Sequence, residues 1–378
     1  MLIIKKPNII TAYGKSTVFS NITITDELGR KVAKTLKCEF SKEYEKYIVS
    51  DRLDAFLIAL YPYAMRTKND VVCEFPITDI LLHNLNAATE MFSVTNKRLK
   101  KINITSQGTL PPLENENAVV TLCSGGVDSF YSIKLYKDSE YESLRLTHLL
   151  VSDVGLFSSS TMSNLSTEKD FKNDIFKLTG EIADDMGLPL VVADTNFAEI
   201  TGNGILPQIT CANLFPVYAL GKLFGTVHIP STYNISEFLL SAFENVFYNS
   251  LDRLDPLLVK ILSTAGNGGG ISLYTDGYVA DRFKKTKALL DFEPAKKFLS
   301  VCFSSAKNCG VCVKCRRTLL QLDMLGELDS FKDVFDVDYY REHIDEYLKE
   351  LPHIADFFEN YEVYEIQRDK ILGKYNKI

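Results

Sequence analysis

The clearest chemical signature in the chain is a six-residue glycine-rich string that follows an apolar run. The string is Ser124-Gly125-Gly126-Val127-Asp128-Ser129, and the run before it covers residues 118–122. Two glycines let the backbone approach a bulky anion and adopt positive φ without a Cβ clash. The N–H groups of the turn and of a following helix then point at phosphate oxygens, and the helix dipole adds to the attraction. We therefore expect all six residues to bind the phosphates of a nucleotide.

Three side chains of this string are the candidate catalytic groups. Ser124 and Ser129 can donate hydroxyl hydrogen bonds to phosphate oxygens, and Asp128 would hold Mg²⁺ or orient the loop. A plain strand-to-helix turn uses the same residue types. The complete string, with a predicted strand before it and a predicted helix after it, favours the functional interpretation. It is not a Walker loop, because no Gly-Lys-Ser/Thr follows.

The string resembles the PP-loop of the N-type ATP pyrophosphatases, also called adenine nucleotide α-hydrolases. The resemblance covers roughly residues 118–325 and implies a Rossmann-like domain that cleaves ATP to AMP and pyrophosphate. Such enzymes usually adenylylate a carbonyl or carboxyl oxygen, and a nucleophile then displaces the AMP. In such folds the nucleotide lies at the carboxyl ends of the strands. Asp153, which follows the second predicted strand of this part, would then bind the adenosine or a metal, or it would simply initiate a turn.

Four of the eight cysteines form a second group with chemical potential, because they lie within one short segment. Two Cys-x-x-Cys turns share Cys312, and this spacing lets a short knuckle wrap several thiolates around one ion. In a reducing compartment such crowding favours metal or redox chemistry over a disulfide framework. We predict a structural zinc site, with an iron–sulfur cluster, a catalytic redox pair or four unconnected thiols as the alternatives. The four residues are Cys302, Cys309, Cys312 and Cys315.

The phosphate string and the cysteine knuckle together resemble 7-cyano-7-deazaguanine synthase-like proteins. The resemblance implies that the four cysteines bind zinc, and that a carboxylate is adenylylated and converted first to an amide and then to a nitrile. The chain departs from that family in two respects. It carries a region of residues 1–117 ahead of the phosphate-loop strand, and the spacing from Cys302 to Cys309 is tighter. The substrate is therefore not carried over.

Two further segments are each open to two interpretations, and the remaining cysteines have a plain structural one. Residues 281–287 place several cations on one helix-like segment, which would either neutralise a leaving pyrophosphate or form a solvated helix face. Residues 263–270 are glycine-rich and would be either a lid near the nucleotide or a plain loop. The other four cysteines lie in apolar surroundings and are predicted to be small buried side chains. They are Cys38, Cys73, Cys123 and Cys211.

Strand-like and helical patterns alternate in the second part of the chain, which indicates an α/β fold with a Rossmann-like open parallel sheet. We predict three units: a smaller N-terminal α+β domain of unknown role at 1–112, a phosphate-loop domain with the knuckle at 118–325, and a helical C-terminal extension at 326–378. Residues 106–117 form the candidate linker. The predicted strands are 18–25, 32–40, 71–75, 118–122, 146–152, 190–193 and 226–229, and the predicted helices are 53–65, 77–91, 128–136, 168–186 and 209–224.

The amino-acid composition excludes few classes of protein, but it indicates which binding partners to expect. The 378 residues are 46% hydrophobic and 24% charged, which is ordinary for a globular protein. The formal net charge of −7 weighs against a nucleic-acid partner, although a local basic patch would be compatible with it. No signal peptide or bilayer-length apolar run is visible, so we expect a cytoplasmic protein that does not bind membranes. Expected partners are a small-molecule substrate, a protein bound through the N-terminal region, and a second copy of the chain.

These observations are compatible with three functions. The leading hypothesis is an adenylylating enzyme that uses ATP, Mg²⁺ and Zn²⁺, in which a nitrogen nucleophile displaces AMP. The second is a tRNA-modifying sulfurtransferase of the PP-loop class, which would use a catalytic cysteine or an iron–sulfur cluster. The third is a nucleotide-sensing subunit without chemistry of its own.

Overall fold

A computed structural model describes residues 1–26, 28–95, 98–155, 168–202, 209–235, 255–303 and 305–349. The strands are β1 (Leu2–Ile4), β2 (Asn8–Ala12), β3 (Lys15–Thr25), β4 (Lys31–Ser41), β5 (Val71–Cys73), β6 (Ile77–Thr78), β7 (Ile104–Ser106), β8 (Thr109–Leu110), β9 (Ala118–Leu122), β10 (His148–Asp153), β11 (Leu190–Thr195), β12 (Phe224–Pro230) and β13 (Ser272–Asp276). The helices are α1 (Asp54–Arg66), α2 (Asp79–Thr95), α3 (Val127–Tyr136), α4 (Glu168–Met186), α5 (Phe197–Thr201), α6 (Ile209–Ala219), α7 (Asp255–Leu262), α8 (Arg282–Ala288), α9 (Glu293–Phe298), α10 (Val313–Leu325) and α11 (Val337–Glu342).

The centre of the molecule is a large, mostly parallel sheet, as the alternating pattern predicted. Its strand order is β13-β12-β9-β10-β11-β4-β3-β1-β5-β7, and β2 pairs with β3. The five strands from β13 to β11 are all parallel to their neighbours. Because parallel strands share one direction, the loops that follow β9, β10 and β12 meet at the same edge of the sheet.

The strands of the N-terminal region extend this same sheet. β4 joins β11 in antiparallel pairing, with Asp194 opposite Glu39 and Thr195 opposite Cys38. On one face, α1 packs against α6, and the rings of Phe56 and Phe215 meet edge to face at 5.2 Å. The two sequence regions are therefore joined by backbone pairing as well as by a shared core.

The two faces of the sheet bury separate cores, and β9 shows how the sequence divides between them. Val120 packs into the core that includes α1, α2 and α6, whereas Val119 packs into the core of α3, α4 and α10. Successive side chains of a strand point to opposite faces, and a parallel sheet that is covered on both faces needs apolar residues at both. The need for apolar side chains on both faces of the sheet explains the apolar run at residues 118–122.

The segment proposed as a linker, residues 106–117, is fixed against the body of the protein. It contains β8, and the Pro111 carbonyl accepts a hydrogen bond from Arg52 at 2.8 Å. Near its end, the Leu113 carbonyl accepts from the Gly270 N–H at 2.7 Å. The unit boundaries at 112 and 118 therefore remain predictions, and residues 350–378 of the predicted helical extension lie outside the described residues.

The glycine-rich segment 263–270 lies at the opposite edge of the sheet from the phosphate loop. It follows α7 and precedes the amino end of β13, and the Gly270 carbonyl accepts a hydrogen bond from Asn115, just before β9. The phosphate loop follows the carboxyl end of β9. Of the two interpretations, this position favours the plain loop over a lid near the nucleotide.

The predicted helix 209–224 is too long. α6 ends at Ala219 and β12 begins at Phe224. Leu220 and Leu223 are buried although the chain turns there, so they continue the apolar pattern of the helix. Among the described residues, no helix combines the length and the apolarity that crossing a bilayer requires.

Candidate functional site

The glycine-rich string forms the turn between β9 and α3, as its pattern predicted. The Ser129 hydroxyl accepts a hydrogen bond from the Ser124 N–H at 3.1 Å and lies 3.0 Å from the Ser124 hydroxyl. Gly126 is the residue before the first turn of α3, and its carbonyl accepts from the Phe130 N–H at 3.0 Å. Ser124 is exposed at the tip of this turn. The loop therefore presents the start of a helix and an exposed hydroxyl to solvent.

Gly125 requires the backbone freedom that only glycine provides at low cost. Its φ is +73°, and a Cβ built there would lie 3.3 Å from Leu178 on α4. The Gly125 carbonyl accepts a hydrogen bond from the Ser300 N–H at 2.8 Å. The loop is thus held between α4 and the segment that leads into the cysteine knuckle.

Asp128 forms ion pairs with two cations of α8. One carboxylate oxygen lies 3.0 Å from Lys285 Nζ, and the other lies 2.7 Å from the Arg282 guanidinium. Burial alone would raise the pKa of Asp128, but the charges of Arg282 and Lys285 outweigh it and hold the pKa below its usual value. Of the two roles expected for Asp128, these contacts correspond to the positioning role, and the role as a Mg²⁺ ligand stays a prediction.

Lys285 is an unusual cation because its side chain is only 2% exposed. Besides Asp128, it donates a hydrogen bond to the Ser231 carbonyl just after β12. Gly277, which follows β13, lies so close that a Cβ there would come within 2.9 Å of Lys285 Cε. Charged side chains are rarely buried without partners, and here the Asp128 carboxylate and the Ser231 carbonyl hold the ammonium group beside the loop.

Asp153 lies at the same edge, at the end of β10. Its carboxylate accepts a hydrogen bond from the Gly155 N–H at 2.8 Å and lies 3.7 Å from Lys172 Nζ. Lys172 also contacts Asp194, at the end of the pairing between β10 and β11, at 2.9 Å. Burial raises the pKa of Asp153, and the nearby Asp194 carboxylate acts in the same direction. Asp153 thus both forms a turn and belongs to a charged group of three side chains.

The four clustered cysteines converge on one point. Their Sγ atoms all lie within 4.8 Å of one another, and Cys309–Cys315 and Cys302–Cys312 are each 4.0 Å apart. A tetrahedral zinc site with Zn–S bonds of about 2.3 Å needs sulfurs roughly 3.8 Å apart. The arrangement therefore fits a metal ion such as zinc with little adjustment, and four unconnected thiols do not describe it.

Backbone groups and a half-buried amide maintain the shape of this knuckle. Asn308 accepts a hydrogen bond from the Val301 N–H at 2.8 Å and donates to the Leu299 and Val334 carbonyls at 2.7 and 3.0 Å. The Tyr347 hydroxyl donates to the Gly310 carbonyl at 2.7 Å. These contacts fix the knuckle to the chain that precedes it and to the C-terminal part.

Lys314 lies between two of the knuckle cysteines in the sequence and contacts an aromatic ring of the same knuckle. Its ammonium group sits 4.1 Å from the centre of the Phe303 ring. Burial, together with the charges of Arg282 and Arg317, lowers the pKa of Lys314 to about 8. The knuckle thus contributes a cation to the same neighbourhood as Asp128.

The remaining four cysteines are buried, as their apolar surroundings predicted. Cys38, Cys73, Cys123 and Cys211 are at most 3% exposed. Burial raises the pKa of Cys73 and of Cys123 to about 12, so both stay protonated thiols at neutral pH.

The structure adds residues that the sequence interpretation did not include in the site. Lys172 and Asp194 carried no pattern that distinguishes them from surface charges. The segment 281–287 did carry a signal, its run of cations, and the structure brings Arg282 and Lys285 of that run to the loop. Which members of the run face the loop could not be predicted without the position of α8 relative to α3.

Comparison of the chain with protein-family models, curated proteins and solved structures finds no match.

Proposed function

We propose that the protein is an ATP-dependent adenylylating enzyme that cleaves ATP between the α- and β-phosphates. The observation that carries this proposal is the pairing of the loop with two cations, the buried Lys285 and the half-buried Arg282. A glycine-rich turn at the start of α3 offers N–H and hydroxyl donors, and Arg282 and Lys285 are held beside it by Asp128. Such a site suits a polyanion whose negative charge increases as the reaction proceeds.

In the proposed reaction a substrate oxygen attacks the α-phosphorus of ATP. The bond from that phosphorus to its bridging oxygen breaks, and pyrophosphate leaves with the electron pair. Arg282 and Lys285 stabilise the charge that develops on the leaving group, while Ser124, Ser129 and the loop N–H groups hold the phosphates. Asp128 keeps the two cations in place. A nitrogen nucleophile then attacks the activated substrate carbon, and AMP is displaced.

The four cysteines hold Zn²⁺ in this proposal, and the ion has a structural role. It fixes the segment around Ser300, which hydrogen-bonds to Gly125, and the start of α10. Mg²⁺ enters with the phosphates of ATP and does not depend on the Asp128 carboxylate. The substrate is a small molecule with a carboxyl or carbonyl oxygen, as in 7-cyano-7-deazaguanine synthase-like proteins, and the enzyme functions in the cytoplasm.

The sulfurtransferase alternative is less well supported. It needs a reactive thiol or an iron–sulfur cluster, but four cysteines are buried and the other four converge with the spacing of a single metal ion. The sensor alternative uses the same ATP-binding site as the proposed enzyme. It differs only in that a sensor would bind ATP and leave it intact.

The experiment uses ATP labelled at the α-phosphate, with Mg²⁺ and a small-molecule extract. Labelled AMP is the expected product, labelled ADP would contradict the proposal, and ATP binding without any product would favour the sensor. Lys285→Met should reduce AMP formation by about 100-fold or more, because a buried cation beside the leaving group is lost. The matched control is Lys284→Met on the same helix, whose side chain is 67% exposed and whose AMP formation should stay within twofold.

A further inference from the structure

A histidine and an aspartate are hydrogen-bonded inside the protein, on two neighbouring strands of the sheet. His228, on β12, is fully buried, and Asp276, the last residue of β13, is 2% exposed. The His228 Nδ1 atom lies 3.1 Å from Asp276 Oδ1, and the His228 Nε2 atom lies 3.1 Å from the Leu144 carbonyl oxygen. The reaction proposed above gives neither residue a role, although ionisable side chains are rarely buried so completely.

The contacts of His228 determine how many hydrogen atoms the pair holds. A carbonyl oxygen can only accept, so Nε2 carries a hydrogen and donates it to Leu144. The contact between Nδ1 and Asp276 needs one further hydrogen, carried either by the ring or by the carboxyl group. In both arrangements the pair as a whole is uncharged, which lowers the cost of burying it. Burial raises the pKa of Asp276, and the hydrogen bond with His228 offsets only part of this effect.

The pair also contacts α3, the helix that begins at the phosphate loop. The rings of Tyr136 and His228 are stacked, with their centres 3.8 Å apart. Tyr136 follows Asp128 by eight residues, a spacing that places both side chains on the same side of the helix. At the start of that side, Asp128 contacts Lys285 Nζ at 3.0 Å. One side of α3 therefore contacts Lys285 near the loop and His228 near the other end of the helix.

The ends of β12 and β13, which the pair joins, contact Lys285. The Ser231 N–H, just after β12, donates a hydrogen bond to the Asp276 carbonyl at 3.0 Å, and the Ser231 carbonyl accepts one from Lys285. Gly277, the residue after Asp276, has a φ of +72°. A Cβ there would lie 2.9 Å from Lys285 Cε and 3.0 Å from the Tyr131 ring. A shift of Asp276 would therefore move both backbone segments that pack against the Lys285 side chain.

We propose that His228 and Asp276 are positioning residues of the site around the phosphate loop. Their hydrogen bond fixes the carboxyl ends of β12 and β13, and these ends hold the Lys285 ammonium group where it contacts a bound anion. The inference rests on the proposed function only in placing a phosphate group beside Lys285.

Titration of the full chain with inorganic pyrophosphate, followed by calorimetry, tests this inference. Asp276→Ala removes the partner of His228 and frees the end of β13, so the pyrophosphate Kd should rise about fivefold. Asp276→Asn should recover most of the affinity, because its amide N–H can donate to Nδ1 of His228 and leaves the pair uncharged. Asp54→Ala is the matched control. It removes another buried, hydrogen-bonded aspartate, and its Kd should stay within about twofold of wild type.

A double-mutant cycle distinguishes positioning of Lys285 from a general loss of stability. In the Lys285→Met background, Asp276→Ala should change the pyrophosphate Kd by less than about twofold, because the side chain through which it acts is gone. An equal rise in Kd with and without Lys285 would overturn the inference. So would an unchanged Kd in Asp276→Ala, with circular dichroism showing that the variant is folded.

Gly277→Ala tests the same strand end without altering the pair, and it decides the question even where Asp276→Ala fails to fold. The added methyl group would displace the Lys285 side chain, so the pyrophosphate Kd should rise about tenfold. Gly187→Ala is the matched control, because Gly187 has a φ of +65° and open space around the position of a Cβ. Its Kd should stay at the wild-type value, and equal Kd values in the two glycine variants would overturn the inference.

The labelled-ATP assay separates this inference from the proposed function. AMP formation by the wild-type protein, together with a pyrophosphate Kd that is indifferent to Asp276 and Gly277, would overturn the inference alone. A Kd that depends on both residues, without AMP formation, would overturn the proposed function alone. Absence of pyrophosphate binding to the wild-type protein would overturn both.

Discussion

Two aspartates at the starts of helices, Asp54 in the N-terminal region and Asp128 at the phosphate loop, have opposite surroundings. Asp54, at the start of α1, accepts hydrogen bonds from the Thr78 N–H, at 2.8 Å, and from the Thr78 hydroxyl. Arg52 completes this group by donating to the same hydroxyl at 3.0 Å. Asp128, at the start of α3, contacts two cations instead. Burial raises the pKa of Asp54, whereas Arg282 and Lys285 hold that of Asp128 below its usual value.

This difference in surroundings distinguishes a structural hydrogen-bond network at Asp54 from a candidate binding site at Asp128. In the N-terminal region, the polar groups around Asp54 satisfy one another within the protein, as buried polar groups must. At the phosphate loop, the exposed Ser124 and the cations around Asp128 form a surface that an anion would complement. The comparison predicts that Asp54 contributes to stability and Asp128 to activity.

The largest expected effect is that of Asp128→Asn on AMP formation. The amide keeps the shape of the carboxylate but removes the charge that positions Arg282 and Lys285, so AMP formation should fall by about 100-fold or more. The labelled-ATP assay measures this fall in AMP formation. Asp138→Asn is the control, because Asp138 follows α3 with a side chain that is 84% exposed, and it should behave as wild type. AMP formation within threefold of wild type in Asp128→Asn would contradict the assigned role.

Asp54→Ala should instead reduce stability without affecting the reaction. The change removes two acceptors and leaves the Thr78 N–H and the Thr78 hydroxyl without their buried acceptors, which should lower the free energy of unfolding by about 2–4 kcal/mol. Chemical denaturation measures the change, and AMP formation per folded molecule should stay within twofold. Asp51→Ala removes a partly exposed ion pair with Arg52 and should cost less than about 1 kcal/mol. A selective loss of activity in Asp54→Ala would show that the N-terminal region contributes to the site.

Sequence patterns predicted the elements of the loop well but not their partners. β9 and α4 have the predicted bounds, because a β-branched run and an amphipathic repeat are local signals. The convergence of the four cysteines also follows from local spacing. The ion pair between Asp128 and Lys285 joins residues 157 positions apart, and no local pattern encodes such a contact. The partners of the candidate site follow from topology, because β9, β12 and β13 bring their carboxyl ends together.

The two aspartates should also respond to pH in opposite directions. The pKa of Asp128 is lowered on folding, so its contribution to stability is present above the unfolded value near 3.8 and is lost as the pH falls through the folded pKa. The pKa of Asp54 is raised, so its contribution is complete below that value and is lost as the pH rises through the folded pKa. Between pH 7 and pH 3, the stability difference between wild type and Asp128→Asn should narrow with acidification, and that between wild type and Asp54→Asn should widen. Denaturation midpoints at each pH provide the measurement, and a parallel trend in both variants would contradict the comparison.

The smallest expected difference is between two glycines of similar conformation. Gly14 in the N-terminal region has a φ of +77° and open space around the position of a Cβ, whereas Gly125 in the phosphate loop has a φ of +73° and a Cβ there would lie 3.3 Å from Leu178. Gly14→Ala should cost about 1 kcal/mol, the strain of a left-handed alanine. Gly125→Ala should cost roughly 1 kcal/mol more, because its methyl group also displaces Leu178. Gly125→Ala should also slow AMP formation, because any shift of the loop moves the N–H groups that hold the phosphates. Gly14→Ala should leave the rate of AMP formation unchanged. Equal losses of stability and equal rates of AMP formation in the two variants would mean that the loop adapts to the methyl group. Phosphate binding would then depend on the side chains of the loop and not on its backbone N–H groups.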